Sequence, residues 1–168
     1  MNFLTDSSID LLLSKQRKFF ASNQTKSISF RRTALEKLLT ACFKYEKEIL
    51  TALHADLRKS PEEAFLTEFN FVVSEIKLHL KNLNKWSASK RISTPLILRP
   101  SRSRIYYEPL GVNLVIAPWN YPFLLLFSPL VGVLSSGCCA ILKPSADSKH
   151  TAEILSLIHI SEPTRRTD

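Results

Sequence analysis

Charged and apolar positions alternate with helical spacing over most of the chain, but from Glu108 to Lys143 (EPLGVNLVIAPWNYPFLLLFSPLVGVLSSGCCAILK) no acidic or basic residue stands between the two ends. Within this stretch residues 114–117 (LVIA) are apolar throughout, the pattern of a short parallel strand covered on both faces. Pro118-Trp119-Asn120-Tyr121-Pro122 interrupts it. A helix is predicted from Pro122, where a missing N–H is harmless, through Ser136, with Gly137 suited to its C-terminal cap. Pro129 should kink that helix by removing one backbone hydrogen bond. A second apolar run, residues 139–142, ends at Lys143-Pro144-Ser145. Strand, loop, helix and strand make a βαβ unit with a right-handed crossover. The rival reading, a membrane span over residues 123–142, has sufficient length. Serines, Pro129 and two glycines interrupt it, and no flanking basic cluster supports insertion.

Upstream, residues 8–20 read as a helix capped by Ser7 or Ser8, with Ile9, Leu12, Leu13 and Phe20 near one face. After a polar linker at 23–27, one long helix is expected over 29–57, its apolar positions including Ala34, Leu38, Leu39, Cys42, Leu50 and Leu53. Ser60-Pro61-Glu62-Glu63 is the strongest start signal: a capping serine, proline at the first helical position and an acid three residues after the cap. Leu66, Phe69, Phe71, Val72, Ile76, Leu80 and Leu83 then form a heavy apolar face running to Trp86. Residues 91–107 (RISTPLILRPSRSRIYY) switch to β-branched and aromatic residues around a Ser101-Arg102-Ser103 turn, which predicts a hairpin or an edge pair of strands. Its four arginines suit a phosphate patch or, more often, protection of exposed strand edges. Past Lys143 a last helix should start, capped by Ser145 or Asp147 and carrying Thr151, Ile154 and Leu155. The final SLIHISEPTRRTD shows no clear continuation of an apolar face.

Composition narrows the class. The 168 residues suffice for one modest domain, and a 45% hydrophobic content can fill a core. Only 3 glycines is few for a complete nucleotide-binding domain, which uses several in turns and phosphate loops. Residues 1–110 carry 19 Lys+Arg against 11 Asp+Glu, and residues 111–168 carry 4 against 4, so the net +8 belongs to the N-terminal part. There the basic residues are mixed with acids along helices, as on a solvated face, and nucleic-acid binding is not expected. Cys42, Cys138 and Cys139 and four scattered histidines show no metal-ligand spacing, so no metal site is expected. The start of the chain lacks a signal-peptide pattern, and a cytoplasmic, reducing location is the default expectation. On residue type alone Asn120 reads as a turn residue, and Lys143 as an ordinary charge at a strand end.

Three motifs change that picture: Glu108-Pro109-Leu110-Gly111-Val112, Ala117-Pro118-Trp119-Asn120-Tyr121-Pro122 and Leu142-Lys143-Pro144-Ser145. Over residues 1–155 the chain resembles the N-terminal third of an aldehyde dehydrogenase, most of all the branch containing the class 3 and fatty-aldehyde enzymes. The resemblance implies an α/β fold in which N-terminal helices (1–88) pack on the start of a Rossmann-like parallel sheet (111–155). It implies that residues 89–110 form a β-hairpin arm for oligomerisation, as a dimer in the full-length protein. It implies NAD or NADP as cofactor and a small-molecule aldehyde as substrate, oxidised to the acid through a cysteine adduct. Asn120 matches the family's asparagine that stabilises the oxyanion, and Lys143 the lysine that bonds the adenosine ribose. Backbone groups of Ala117, Pro118 and Trp119 would line the cofactor cleft.

The family's nucleophilic cysteine, activating glutamate and pyrophosphate turn lie further along its chain. Cys138 and Cys139, which precede the second cofactor strand, are not expected to replace that nucleophile. The piece alone is therefore expected to be inactive and, with half a sheet uncovered, prone to aggregate. The alternative is a truncated, non-catalytic product that associates with full-length subunits. Ala146 stands where the family often has a glutamate, which leaves NAD against NADP open. Residues 156–168 depart from the family pattern and are expected to be a non-native tail.

Overall fold

The structure, a computed structural model, is described for residues 6–160. Helix α1 spans Asp6–Ala21 and is followed by a 3-10 turn at Gln24–Lys26. The expected single helix over 29–57 is two, α2 (Ile28–Lys44) and α3 (Glu46–Leu57), separated at Tyr45 (φ −107°, ψ 18°). The break has an electrostatic basis. Lys44 ends one helix and Glu46 and Glu48 begin the next, each favourable to the dipole it meets.

The Ser60 signal is used as expected: the Glu63 N–H donates to Ser60 Oγ at 3.1 Å, and Pro61 opens α4 (Pro61–Ala64). A π-turn at Phe65–Phe69 joins α4 to α5 (Asn70–Ser87). This extra-wide turn resets the helical phase. Leu66 and Phe71, expected on the core face, are therefore exposed, while Glu68 is turned fully inside beside Phe69.

Strands β1 (Lys90–Ile92) and β2 (Ser103–Ile105) pair antiparallel, with Arg91 opposite Arg104. The reversal is not a tight turn at 101–103. It takes up residues 93–102, including a 3-10 turn at Leu96–Leu98, and the Ser103 N–H donates to Thr94 Oγ1 at 3.0 Å across its base.

Strands β3 (Val112–Ile116) and β4 (Cys139–Lys143) pair in parallel, Val112 opposite Cys139 and Ile116 opposite Lys143, with α6 (Pro122–Ser136) crossing between them. Gly137 closes α6 in the left-handed region (φ 83°), as its position suggested. Pro129 lies inside α6 without ending it. Along β3 Val115 is buried, whereas Leu114 and Ile116, expected to be covered, face outward. No described helix is long and apolar enough to cross a membrane, and residues 123–142 are divided between α6 and β4 rather than forming one continuous helix.

The core joins the helical layer to α6. Phe65, Phe69, Phe123 and Phe127 form a stacked series with centroid spacings of 5.6, 6.1 and 4.8 Å. Helix α7 (Lys149–Ile160) closes the described chain, and its face continues past the expected end, with Leu155 and Ile158 both buried. Of the tail expected from Ser156, residues 161–168 lie outside the described residues.

Neither Ser145 nor Asp147 caps α7. Asp56, from α3, does so: Oδ1 accepts from the His150 N–H (3.2 Å) and Oδ2 from the Thr151 N–H and hydroxyl (2.8 Å each). Burial pushes the Asp56 carboxyl up, but the hydrogen bonds from Thr151 and His150 outweigh it, and the net shift is downward. A carboxyl lowered on folding adds stability above its unfolded value, near pH ~4, and loses it as pH falls through the folded value. Melting followed against pH should therefore show an acid-labile step below about pH 4 that Asp56→Asn flattens. An unchanged profile in the variant would exclude Asp56 as its source.

Candidate active site

The residues singled out in the sequence converge at the C-terminal ends of β3 and β4. The Ala117 N–H donates to the Lys143 carbonyl at 3.1 Å, extending the ladder by one step and placing the two residues side by side. Ala117 is buried. Pro118, Trp119 and Asn120 are exposed, and so is Lys143, whose ammonium has no ion-pair partner among the described residues. The Trp119 carbonyl accepts from the hydroxyl of buried Ser148 at 3.4 Å, which ties this loop to the start of α7. The Asn120 side-chain amide makes no hydrogen bond among the described residues, so its two N–H groups are available to a ligand.

Beneath the loop lies an ion pair that sequence reasoning missed. Lys59 Nζ donates to Glu68 Oε1 at 2.6 Å, with the Glu68 side chain fully buried and that of Lys59 nearly so. Glu68 Oε2 accepts from the N–H groups of Phe123 (3.0 Å) and Leu124 (3.1 Å), the first turn of α6. Lys59 also reaches the Asn120 carbonyl at 3.4 Å and lies 3.7 Å from the centroid of the Tyr121 ring. The one available signal was an acid flanked by Phe65, Leu66 and Phe69, and only the π-turn shows which way it points.

The helix N-terminus after the first strand, where doubly wound folds often hold phosphate, is thus occupied by the protein's own carboxylate. A dinucleotide's pyrophosphate does not fit there. The donor chemistry beside Lys143 suits ribose hydroxyls: an ammonium without an ion-pair partner among the described residues stands at the open end of the parallel pair, the usual place for a nucleotide in such sheets.

The two adjacent cysteines belong elsewhere. Cys139 pairs with Val112 and Lys143 with Ile116, so four residue steps, about 13 Å, separate the thiol's strand position from Lys143. Burial raises the Cys139 thiol, and the neighbouring Cys138 adds to it. Burial also raises Cys138, but hydrogen bonding from Ser136, Gly111, Asn113 and Leu110 outweighs it and lowers that thiol overall.

The aldehyde dehydrogenase family model matches residues 3–162. The chain belongs to the aldehyde dehydrogenase family. It is 45% identical over 139 residues to 4,4'-diaponeurosporen-aldehyde dehydrogenase of Staphylococcus aureus, covering 83% of this chain and 30% of that protein. It is 39% identical to aldehyde dehydrogenase family 3 member H1 of Arabidopsis thaliana, covering 86% of this chain and 30% of the relative. The solved substrate-bound structure of Staphylococcus aureus AldH superposes with a TM-score of 0.88 at 41% identity, covering 94% of this chain and 33% of that one. The chain thus spans about 30% of the length of the curated aldehyde dehydrogenases it matches. The family and α/β fold read from the three motifs are borne out, and the resemblance to the family 3 branch has its counterpart among these relatives.

Proposed function

We propose that residues 111–155 supply the oxyanion donor and the adenosine-ribose corner of an NAD(P)-dependent aldehyde dehydrogenase that oxidises an aldehyde to the acid. The observation that supports this most is the joint placement, at the open end of one parallel strand pair, of an Asn120 amide and a Lys143 ammonium that have no partners among the described residues. When bound, the dinucleotide supplies the hydride acceptor. Asn120 donates an N–H to the oxygen that becomes anionic as the carbonyl is attacked, and the cysteine making that attack lies in a later part of the enzyme. Lys143 donates to ribose hydroxyls, and the backbone from Ala117 to Trp119 lines the cleft. Ala146, rather than a carboxylate, follows Pro144-Ser145, so a 2′-phosphate meets one obstacle fewer and both NAD and NADP are proposed. The exposed Leu96, Ile97 and Leu98 of the arm suit a subunit contact in a dimer.

The test is aldehyde-dependent reduction of NAD or NADP by a polypeptide of the relatives' length that carries this chain. Activity is expected, and Lys143→Met should raise the cofactor KM about 10- to 100-fold, the equivalent of losing a charge-assisted hydrogen bond. Reduction of neither dinucleotide would overturn the reading.

A further inference from the structure

We propose that Lys59 and Glu68 form a clamp that positions Asn120, acting on the reaction without touching substrate; this rests on the oxyanion role given to Asn120 above. The loop carrying Asn120 is exposed, and the asparagine's own amide bonds to nothing among the described residues. Its direction is therefore set through the backbone. Lys59 and Glu68 grip that backbone at residue 120 and over the residues that follow it. Glu68 takes the N–H groups of Phe123 and Leu124, and Lys59 takes the Asn120 carbonyl while its ammonium faces the Tyr121 ring.

Each gripping residue is itself held. The Lys59 carbonyl is 2.9 Å from His54 Nδ1, and Glu68 is turned inward by the π-turn. A buried ion pair is a poor source of stability, since well-packed apolar residues often replace one at no cost. It is a good source of directed contacts at fixed distances. Small displacements of a catalytic group lower rate steeply, about 10²-fold for 1 Å.

The test is a coupling measurement in the polypeptide of enzyme length. Glu68→Gln, Lys59→Met and the double change Lys59→Met/Glu68→Met are each made with Asn120 present and with Asn120→Ala. With Asn120 present, kcat should fall about 10- to 100-fold while the aldehyde KM moves little, and Lys59→Arg should recover part of it. In the Asn120→Ala background the same changes should have almost no further effect, because the group they position is gone. Equal losses in both backgrounds, or no loss in either, would overturn the clamp. An Asn120→Ala variant with normal kcat would instead overturn the oxyanion reading, a separate outcome. If a single variant leaves an unpaired buried charge and does not fold, the double change, which leaves none, and Lys59→Arg carry the comparison.

Discussion

Replacing Asn120 by alanine in the polypeptide of enzyme length should lower kcat for aldehyde oxidation by about 10²- to 10³-fold, the usual effect of removing one oxyanion donor. Melting temperature and cofactor affinity should barely change. The side-chain amide makes no hydrogen bond among the described residues, and the hydrogen bond that the Asn120 carbonyl accepts from Lys59 belongs to the backbone and survives the substitution. The loss should appear in kcat and kcat/KM alike, because the donor meets an anionic oxygen only as the carbonyl is attacked. Asn120→Asp should be at least as damaging, since a carboxylate offers acceptors where a donor is needed. A kcat within about fivefold of the unmodified enzyme would remove Asn120 from this role, given the size of effect such donors have.

What can be read from the sequence is local. The Ser60-Pro61 start, the Pro122 start and the Gly137 end of α6 each depend on neighbours a few residues apart, and each appears where expected. The parallel pair is legible because two short apolar runs flank one helical run. What cannot be read is set by residues far away in the chain. Glu68 caps a helix 55 residues downstream, and Asp56 one that is 94 residues downstream. Periodicity counted along 66–83 assumes one helical phase, and the π-turn supplies another, so the count puts Leu66 and Phe71 inside and passes over Glu68. Apolar content alone also does not show which face of β3 is covered, and it gives Leu114 and Ile116 a cover they lack here.

These distant contacts share one physical logic. Helices α6 and α7 flank the second strand of the βαβ unit, and neither receives a side-chain cap from its own leading segment among the described residues. Both take a carboxylate from the N-terminal helical layer instead. Free N–H groups at a helix start cost stability when buried, and an acid there also meets the positive end of the dipole. The helical layer therefore completes the βαβ unit electrostatically as well as covering its apolar face. The two carboxylates are placed at the loop carrying Asn120 and just after the strand carrying Lys143, so the layer also bears on the candidate site.

The largest effect on stability is expected at Arg31, which joins the same two layers at the other end of α6. Its guanidinium is buried and donates to the carbonyls of Thr25 (3.1 Å), Lys26 (2.8 Å) and Ser135 (3.4 Å) and to Ser87 Oγ (3.4 Å). Burial lowers its pKa, and the nearby Cys138 works in the opposite direction. Arg31→Met keeps the stem but leaves carbonyls without donors, and should cost about 3 kcal/mol, read from denaturant unfolding. Arg31→Lys should recover only part, because an ammonium cannot span acceptors that a planar fork reaches. Gly137 provides the control. A Cβ there would lie 2.6 Å from Arg31 Nε, on a backbone already at φ +83°, and the guanidinium is too well tethered to yield. Gly137→Ala should thus be costly beside Arg31. In the Arg31→Met background, where a flexible thioether stem replaces the guanidinium, it should be distinctly less so, a favourable coupling on the order of 1 kcal/mol. Additive losses would show that the close approach of Arg31 to Gly137 is not what demands glycine, leaving the left-handed backbone as the sole reason for it.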